Sequence, residues 1–176
     1  MTTEFAGPRT AIITGGAKRI GAACARALAA DGWHILIHCD RSVDEANALA
    51  RELGNAAVVS ADLADPAAPE RILAGLAGLP PARLLVNNAS LFVYDGIDDF
   101  TVEQWDRHQA VNVRAPALLS RAFAAQAPEG GALIVNLLDA KLSHPNPDFF
   151  TYTVSKMALA GVGELLARVY AGRGIR

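Results

Sequence analysis

Cysteine is scarce: Cys24 and Cys39 are the two in the sequence, and they do not share a Cys-x-x-Cys spacing. That excludes a disulfide framework and leads us to expect free thiols in a reducing cytoplasm. The four histidines, His34, His38, His108 and His144, show no metal-ligand spacing, so no metal is expected. No apolar run approaches the ~18 residues of a membrane-spanning helix. The opening Met1-Thr2-Thr3-Glu4 is too polar for a secretory signal. Basic residues form no cluster, and 16 Lys and Arg against 18 Asp and Glu leave a net charge of −2. Nucleic acid is thereby excluded as the main partner. Internal repeats and low-complexity stretches are also lacking.

What is present fits one globular domain over residues 1–176, with 52% hydrophobic and 19% charged residues. Apolar runs at 10–14, 34–39, 56–60, 83–87 and 132–138 read as strands. They are continuous rather than alternating, as strands covered on both faces are. Amphipathic stretches at 20–30, 43–53, 69–77, 102–125 and 152–171 read as helices. Strand and helix alternate, which predicts an α/β fold with a doubly wound parallel sheet of Rossmann type. Ligands of such sheets bind beyond the carboxyl ends of the strands. The Gly15 turn, Cys39-Asp40-Arg41, Asp62-Leu63, Asn87-Asn88-Ala89-Ser90 and Asp139 all fall at those ends.

Two motifs carry chemistry. Thr14-Gly15-Gly16-Ala17-Lys18-Arg19-Ile20-Gly21 joins the first strand to an Ala-rich helix, the context of a dinucleotide fingerprint. Glycines let the backbone approach a pyrophosphate, and the helix N-terminus offers N–H groups to the anion. Near the other end, Tyr152 and Lys156 lie four residues apart, with Asp139 thirteen positions upstream of the tyrosine. Four residues is about one helical turn, so the phenol and the ammonium share a face. A phenol with a pKa of about 10 needs a fixed cation nearby to approach the working range. The pair therefore reads as a proton-transfer device. Without the glycine motif it would more often be two helix-surface residues.

These residues resemble the short-chain dehydrogenase/reductase family, and within it the pteridine and dihydropteridine-type reductases, from Thr10 onward. The glycine pattern carries Arg19 where most members have glycine, and the strand end reads Asn88-Ala89-Ser90, both as in the pteridine reductase branch. The resemblance implies that Asp62 and Leu63 border the adenine, and that Asn112, Tyr152 and Lys156 form the catalytic set. Asp139 stands where most members carry serine, again as in that branch, and Phe92 matches the aromatic on which the pterin ring stacks.

Several expectations follow. Pro116 lies four residues after Asn112, so it leaves the Asn112 carbonyl free, where the resemblance places a water linked to Lys156. In a pocket lined by Phe92, Phe149 and Phe150, desolvation should keep Asp139 neutral, able to protonate substrate together with Tyr152. The plainer readings are a core aromatic at Phe92 and a turn-capping carboxylate at Asp139. Asp40 favours NADH by repelling a 2′-phosphate, whereas Arg41 favours NADPH by gripping it. His38 and Ser42, with Lys18 and Arg19 nearby, tip the expectation to NADPH, NADH being the alternative. The resemblance also implies two strands beyond residue 176, hence a chain that continues, and a homo-tetramer or homodimer. The expected activity is NAD(P)H-dependent reduction of a pteridine-like substrate. The alternatives are reduction of a ketone, sugar or acyl thioester, or a dinucleotide-binding regulatory module without turnover.

Overall fold

The computed structural model describes residues 7–176, so the opening Met1–Glu4 lies outside the described residues. Five parallel strands form one sheet in the order β3-β2-β1-β4-β5. They are β1 (Thr10–Ile13), β2 (His34–Cys39), β3 (Ala56–Ser60), β4 (Ala82–Asn87) and β5 (Leu133–Asn136). Each strand is followed by helical structure: α1 (Arg19–Ala30), α2 (Val43–Leu53), α3 (Ala68–Ala74), α4 (Val102–Gln109) with α5 (Ala115–Gln126), and α6 (Phe150–Tyr170). Among the described residues, no helix is long and apolar enough to cross a membrane.

The continuous apolar strands are explained by burial on both faces. In β1, Ala11, Ile12 and Ile13 are all fully buried. Ile12 joins Leu36, Leu85, Leu119 and Phe123 in the core beneath α3 and α5. Ile13 joins Ile35, Ile37, Val86, Ala25 and Leu49 beneath α1 and α2. Complete burial of each Ile, Leu, Val or Phe side chain among them contributes ~2 kcal/mol. The alanines of α1 let it lie close to the sheet, with Ala22 and Ala25 buried.

Three boundaries differ from the sequence reading. The helix expected over 102–125 is interrupted by a π-helical turn, Ala110–Arg114, in which the Ala115 N–H reaches back to the Ala110 carbonyl. Pro116 has no N–H to offer the Asn112 carbonyl, and the backbone accommodates the missing bond with a wider turn. β5 is shorter than 132–138, because Leu138 turns out to the surface and is 46% exposed. α3 ends at Ala74 rather than 77, with the chain closing into turns after Gly75. Alongside β5, Ala132 forms a parallel bridge with Ile175. The Ile134 N–H donates to the Arg176 carbonyl at 2.7 Å. Residues 175–176 thus lie where the resemblance sets the sixth strand.

Candidate active site

The carboxyl ends of the strands are tied together by side chains that leave a groove above them. The Thr14 hydroxyl donates to the Val86 carbonyl at 3.3 Å and accepts the N–H groups of Asn88 and Ala89, both at 3.0 Å. The Asn88 amide donates to the carbonyls of Thr14 and Gly15, at 2.8 and 3.1 Å. The Gly15 N–H donates to His38 Nδ1 at 3.2 Å, which makes Nε2 the protonated nitrogen, donating to the Ala61 carbonyl at 2.9 Å. β1, β2, β4 and the segment after β3 are therefore joined under the glycine turn. Burial pushes the His38 imidazole below the ordinary histidine range, consistent with this neutral tautomer. Both ring nitrogens are thereby used to fix the turn.

The turn itself has room for a ligand and none for side chains. Gly15 has φ +60°, and a Cβ on Gly21 would stand 2.3 Å from the Gly15 carbonyl oxygen. Arg19 holds a left-handed φ of 50°, a strain of ~1 kcal/mol for a residue with a Cβ. The first turn of α1 contains no acid and has no side-chain cap. Free N–H groups at a twelve-residue helix that opens on a groove are suited to a phosphate.

A cavity of about 520 Å³ runs from this turn to Tyr152. Gly15, Lys18, Arg19, Ile20, Gly21, His38, Arg41, Asp62, Leu63, Asn88, Ala89, Ser90, Phe92 and Tyr152 all line it, as does Asp40. Ser42 does not; it lines a smaller adjoining hollow with Lys18, Asp40 and Arg41. Asn112, Asp139 and Lys156 are not among the residues that line it. At the β2 end, Arg41 Nε lies 3.3 Å from the Asp40 carboxylate, and Lys18 pairs with Glu45 of α2. The sequence reading did not single out Glu45, nor Arg107, which lines the cavity 3.7 Å from Asp62.

The Tyr152 hydroxyl donates to Asp139 Oδ2 at 2.6 Å. Lys156 Nζ donates to the Leu137 carbonyl at 2.8 Å and lies 5.9 Å from the centre of the Tyr152 ring. The Asn112 side chain is fully buried and clamps the loop after β4. It accepts from Leu91 N–H at 2.8 Å, and donates to the Leu91 carbonyl at 2.9 Å and to the Ser155 hydroxyl at 3.0 Å. Ser155 in turn donates to the Tyr152 carbonyl at 2.6 Å. Ser155 was missed from sequence, because a hydroxyl that organises backbone carries no spacing signal.

Two electrostatic expectations are corrected. Asp139 is a carboxylate rather than a neutral acid. The Lys141 N–H (2.8 Å to Oδ1) and the Tyr152 hydroxyl hold it below the usual carboxylate range, outweighing desolvation. Tyr152 is not brought down by Lys156. Desolvation first, then its hydrogen bond to Asp139 and the charge of Asp139, push the phenol well above its ordinary value. Burial also lowers Lys156. The expected aromatic lining is corrected as well. Phe150 turns away to pack on Phe100 and Trp105 at 5.6 and 6.5 Å between ring centres. Phe92 instead stacks on Phe149 at 4.1 Å and 10°, and meets Tyr152 edge-on at 4.6 Å. It is not a core residue, being 54% exposed. Among the described residues, no cluster of three or more His, Cys, Asp or Glu is placed to hold a metal.

Comparison with known proteins agrees with this geometry. The short chain dehydrogenase family matches residues 9–176. Human dehydrogenase/reductase SDR family member 4 is 33% identical over 96% of this chain, which spans 63% of that protein. The structure of FolM alternative dihydrofolate reductase 1 from Brucella suis, in complex with NADP, superposes with a TM-score of 0.90. It is 40% identical, over 96% of this chain and 72% of that one. The angucycline C-6 ketoreductase LanV with bound NADP has a TM-score of 0.89 at 29% identity, over 95% and 69% of the two chains.

Proposed function

Because the chain belongs to the short-chain dehydrogenase family, we propose that it is an NADPH-dependent reductase of a flat, pteridine-like substrate such as a dihydropterin or dihydrofolate. One observation carries the reading: the glycine turn, Tyr152 and Phe92 line the same cavity. When bound, the nicotinamide nucleotide supplies the hydride. The first turn of α1 between Gly15 and Gly21 would hold its phosphates, and Asp62, Leu63 and Arg41 would hold its adenosine end. The NADP in the FolM and LanV complexes supports NADPH over NADH. Lys18, Arg19 and Arg41, with His38 and Ser42 nearby, supply the positive end of the groove.

Reduction also needs a proton at the substrate atom. The raised phenol of Tyr152 keeps its proton at neutral pH while it is paired with Asp139, and displacing that carboxylate removes one cause of the shift and makes the proton available. Substrate takes the Tyr152 hydroxyl from Asp139, freeing the carboxylate to accept an N–H of the ring. Asp139 thus orients substrate as an acceptor, and the phenolate left after proton transfer takes its next proton from solvent. Lys156 offsets the phenolate's charge, and Asn112 holds the loop that carries Phe92. The FolM likeness supports a folate-type ring.

A second reading, reduction of a ketone, is favoured by Phe149. Its ring covers the Phe92 face on which a pterin would stack, and the LanV likeness points the same way. NADPH oxidation with dihydrobiopterin, dihydrofolate and simple ketones separates the two. Binding of NADPH with no oxidation by any of them would indicate a regulatory module. The free thiols of Cys24 and Cys39 support a cytoplasmic setting. Exposed Val102, Leu165 and Val169 on α4 and α6 support pairing of subunits as a homodimer or homo-tetramer.

A further inference from the structure

Behind the Phe92 loop lies a buried polar chain that the proposed chemistry leaves unused. Phe149, the residue before α6, has φ +55° and provides no side-chain cap, so the first N–H groups of that helix need partners from elsewhere. Asp95 supplies them across 56 positions of sequence. Its carbonyl accepts the Phe150 N–H at 3.1 Å, and its Oδ1 accepts the Thr151 N–H at 3.0 Å. The Thr151 hydroxyl donates to Asp95 Oδ2. The same hydroxyl lies 2.7 Å from His108 Nδ1. That nitrogen is also 3.1 Å from the Gln104 carbonyl, and His108 Nε2 accepts the Val93 N–H at 3.4 Å. All three side chains are buried, at 2%, 0% and 0% exposure.

These bonds admit one protonation pattern. Val93 can only donate, so Nε2 is bare and Nδ1 carries the proton, which points at Gln104 and Thr151. The Thr151 proton is then committed to Asp95. The chain connects three elements: α4, the loop at 91–96 with its Phe92, and the turn of α6 that bears Tyr152. We propose that Asp95, Thr151 and His108 are positioning residues that set the Phe92 ring against the Tyr152 hydroxyl, with His108 acting as the neutral Nδ1–H imidazole. The proposal rests on the reading of Phe92 and Tyr152 as the substrate side of the site.

A pH dependence follows from the geometry. Protonating His108 would place an N–H at Nε2 against the Val93 N–H and release the loop. Among the described residues, the titratable groups facing His108 are Asp95 from the loop and Tyr152 from α6, its ring centre 6.3 Å away. Desolvation outweighs the pull of Asp95 and keeps the imidazole neutral until below the ordinary histidine range.

Hydrogen exchange on the full-length protein tests the proposal without needing a substrate. In His108→Phe the amides of 91–96 should exchange about tenfold faster than in wild type, as expected when a buried N–H loses its acceptor. In the wild type the same segment should lose protection on acidification below the usual histidine range. Steady-state kinetics adds a second arm, with Thr151→Val and Thr151→Ser. The valine variant should raise the KM for substrate about tenfold, leave kcat within about threefold and leave NADPH affinity within about twofold, and serine should restore the KM. Unchanged exchange at 91–96 in His108→Phe, equal losses of NADPH and substrate affinity, or no rescue by serine would overturn the proposal. Should His108→Phe not fold, the two Thr151 variants and the wild-type acid dependence decide it. If wild type oxidises NADPH with none of the substrates, the reductase reading falls, and the exchange arm still judges the network.

Discussion

The Tyr152 hydroxyl stands 2.6 Å from Asp139 Oδ2 and donates to it, so the proton donor proposed for this site is bound to an anion in the free protein. That anion raises the phenol, and the phenol helps to lower the anion. Substrate has to break into this pair to be protonated.

Removing either partner therefore has a different signature. Tyr152→Phe deletes the proposed proton donor and should reduce kcat by about 10² or more, with NADPH affinity retained. Asp139→Ala should also collapse turnover with little effect on the cofactor. A spectrophotometric titration distinguishes the roles further: in Asp139→Asn the Tyr152 phenol should ionise at lower pH than in wild type, because one cause of its upward shift is gone. A phenol that titrates unchanged would separate the two residues.

The cradle prediction concerns Gly21. Its missing side chain leaves the approach to Gly15 and Asn88 open, and a Cβ would also lie 2.7 Å from the Asn88 amide nitrogen. Gly21→Ala should cost the fold about 1–3 kcal/mol by overpacking and weaken NADPH binding at least about tenfold. Fluorescence titration with NADPH and a denaturant curve measure both.

Cofactor choice turns on the groups at the end of β2. Arg41→Ala should lower the NADPH-to-NADH preference about tenfold by removing a guanidinium that grips a phosphate. Glu45→Gln should act in the opposite sense by releasing Lys18 from its ion pair. That effect should be small, within a few-fold, since the pair is half exposed and solvent screens it. Initial rates with the two nucleotides give the ratio.

Acid sensitivity follows from His38 and His108. Both are held below their ordinary pKa, with desolvation the largest cause, so the folded chain binds fewer protons there than the unfolded one. Their contribution to stability is complete above the unfolded value of about 6.5 and is lost as pH falls from there through the depressed folded values. Asp139 adds a further loss only at lower pH, from about 5 downward, where the unfolded carboxylate begins to protonate. Denaturation midpoints should thus fall between pH 7.5 and 5 in wild type, and fall less in His38→Asn.

Much of this molecule could be read from residue order alone. The βαβ series was legible because β1, β2 and β4 are apolar on both faces, and the turn because Gly15 and Gly21 sit where backbone must approach a ligand. Tyr152 and Lys156 were legible from helical spacing, and Pro116 pointed to the broken bond now seen in the π-helical turn. The charge states were not. Asp139 is ionised because the chain turns at Lys141 and brings a backbone N–H to it, which no side-chain pattern records. Phe149 and Phe150 are neighbours of the same chemistry, and only the left-handed backbone at Phe149 sends one ring to Phe92 and the other to Phe100. The link from Asp95 to α6 spans 56 positions and has no local signature.

The most direct test is a crystal structure of the complex with NADP. The account predicts the pyrophosphate at the Gly15–Gly21 turn and the nicotinamide C4 on the cavity side of the Tyr152 hydroxyl, close enough for one substrate ring to touch both. A nicotinamide lodged elsewhere, or a Tyr152 hydroxyl still sealed against Asp139 with no path to it, would contradict the account.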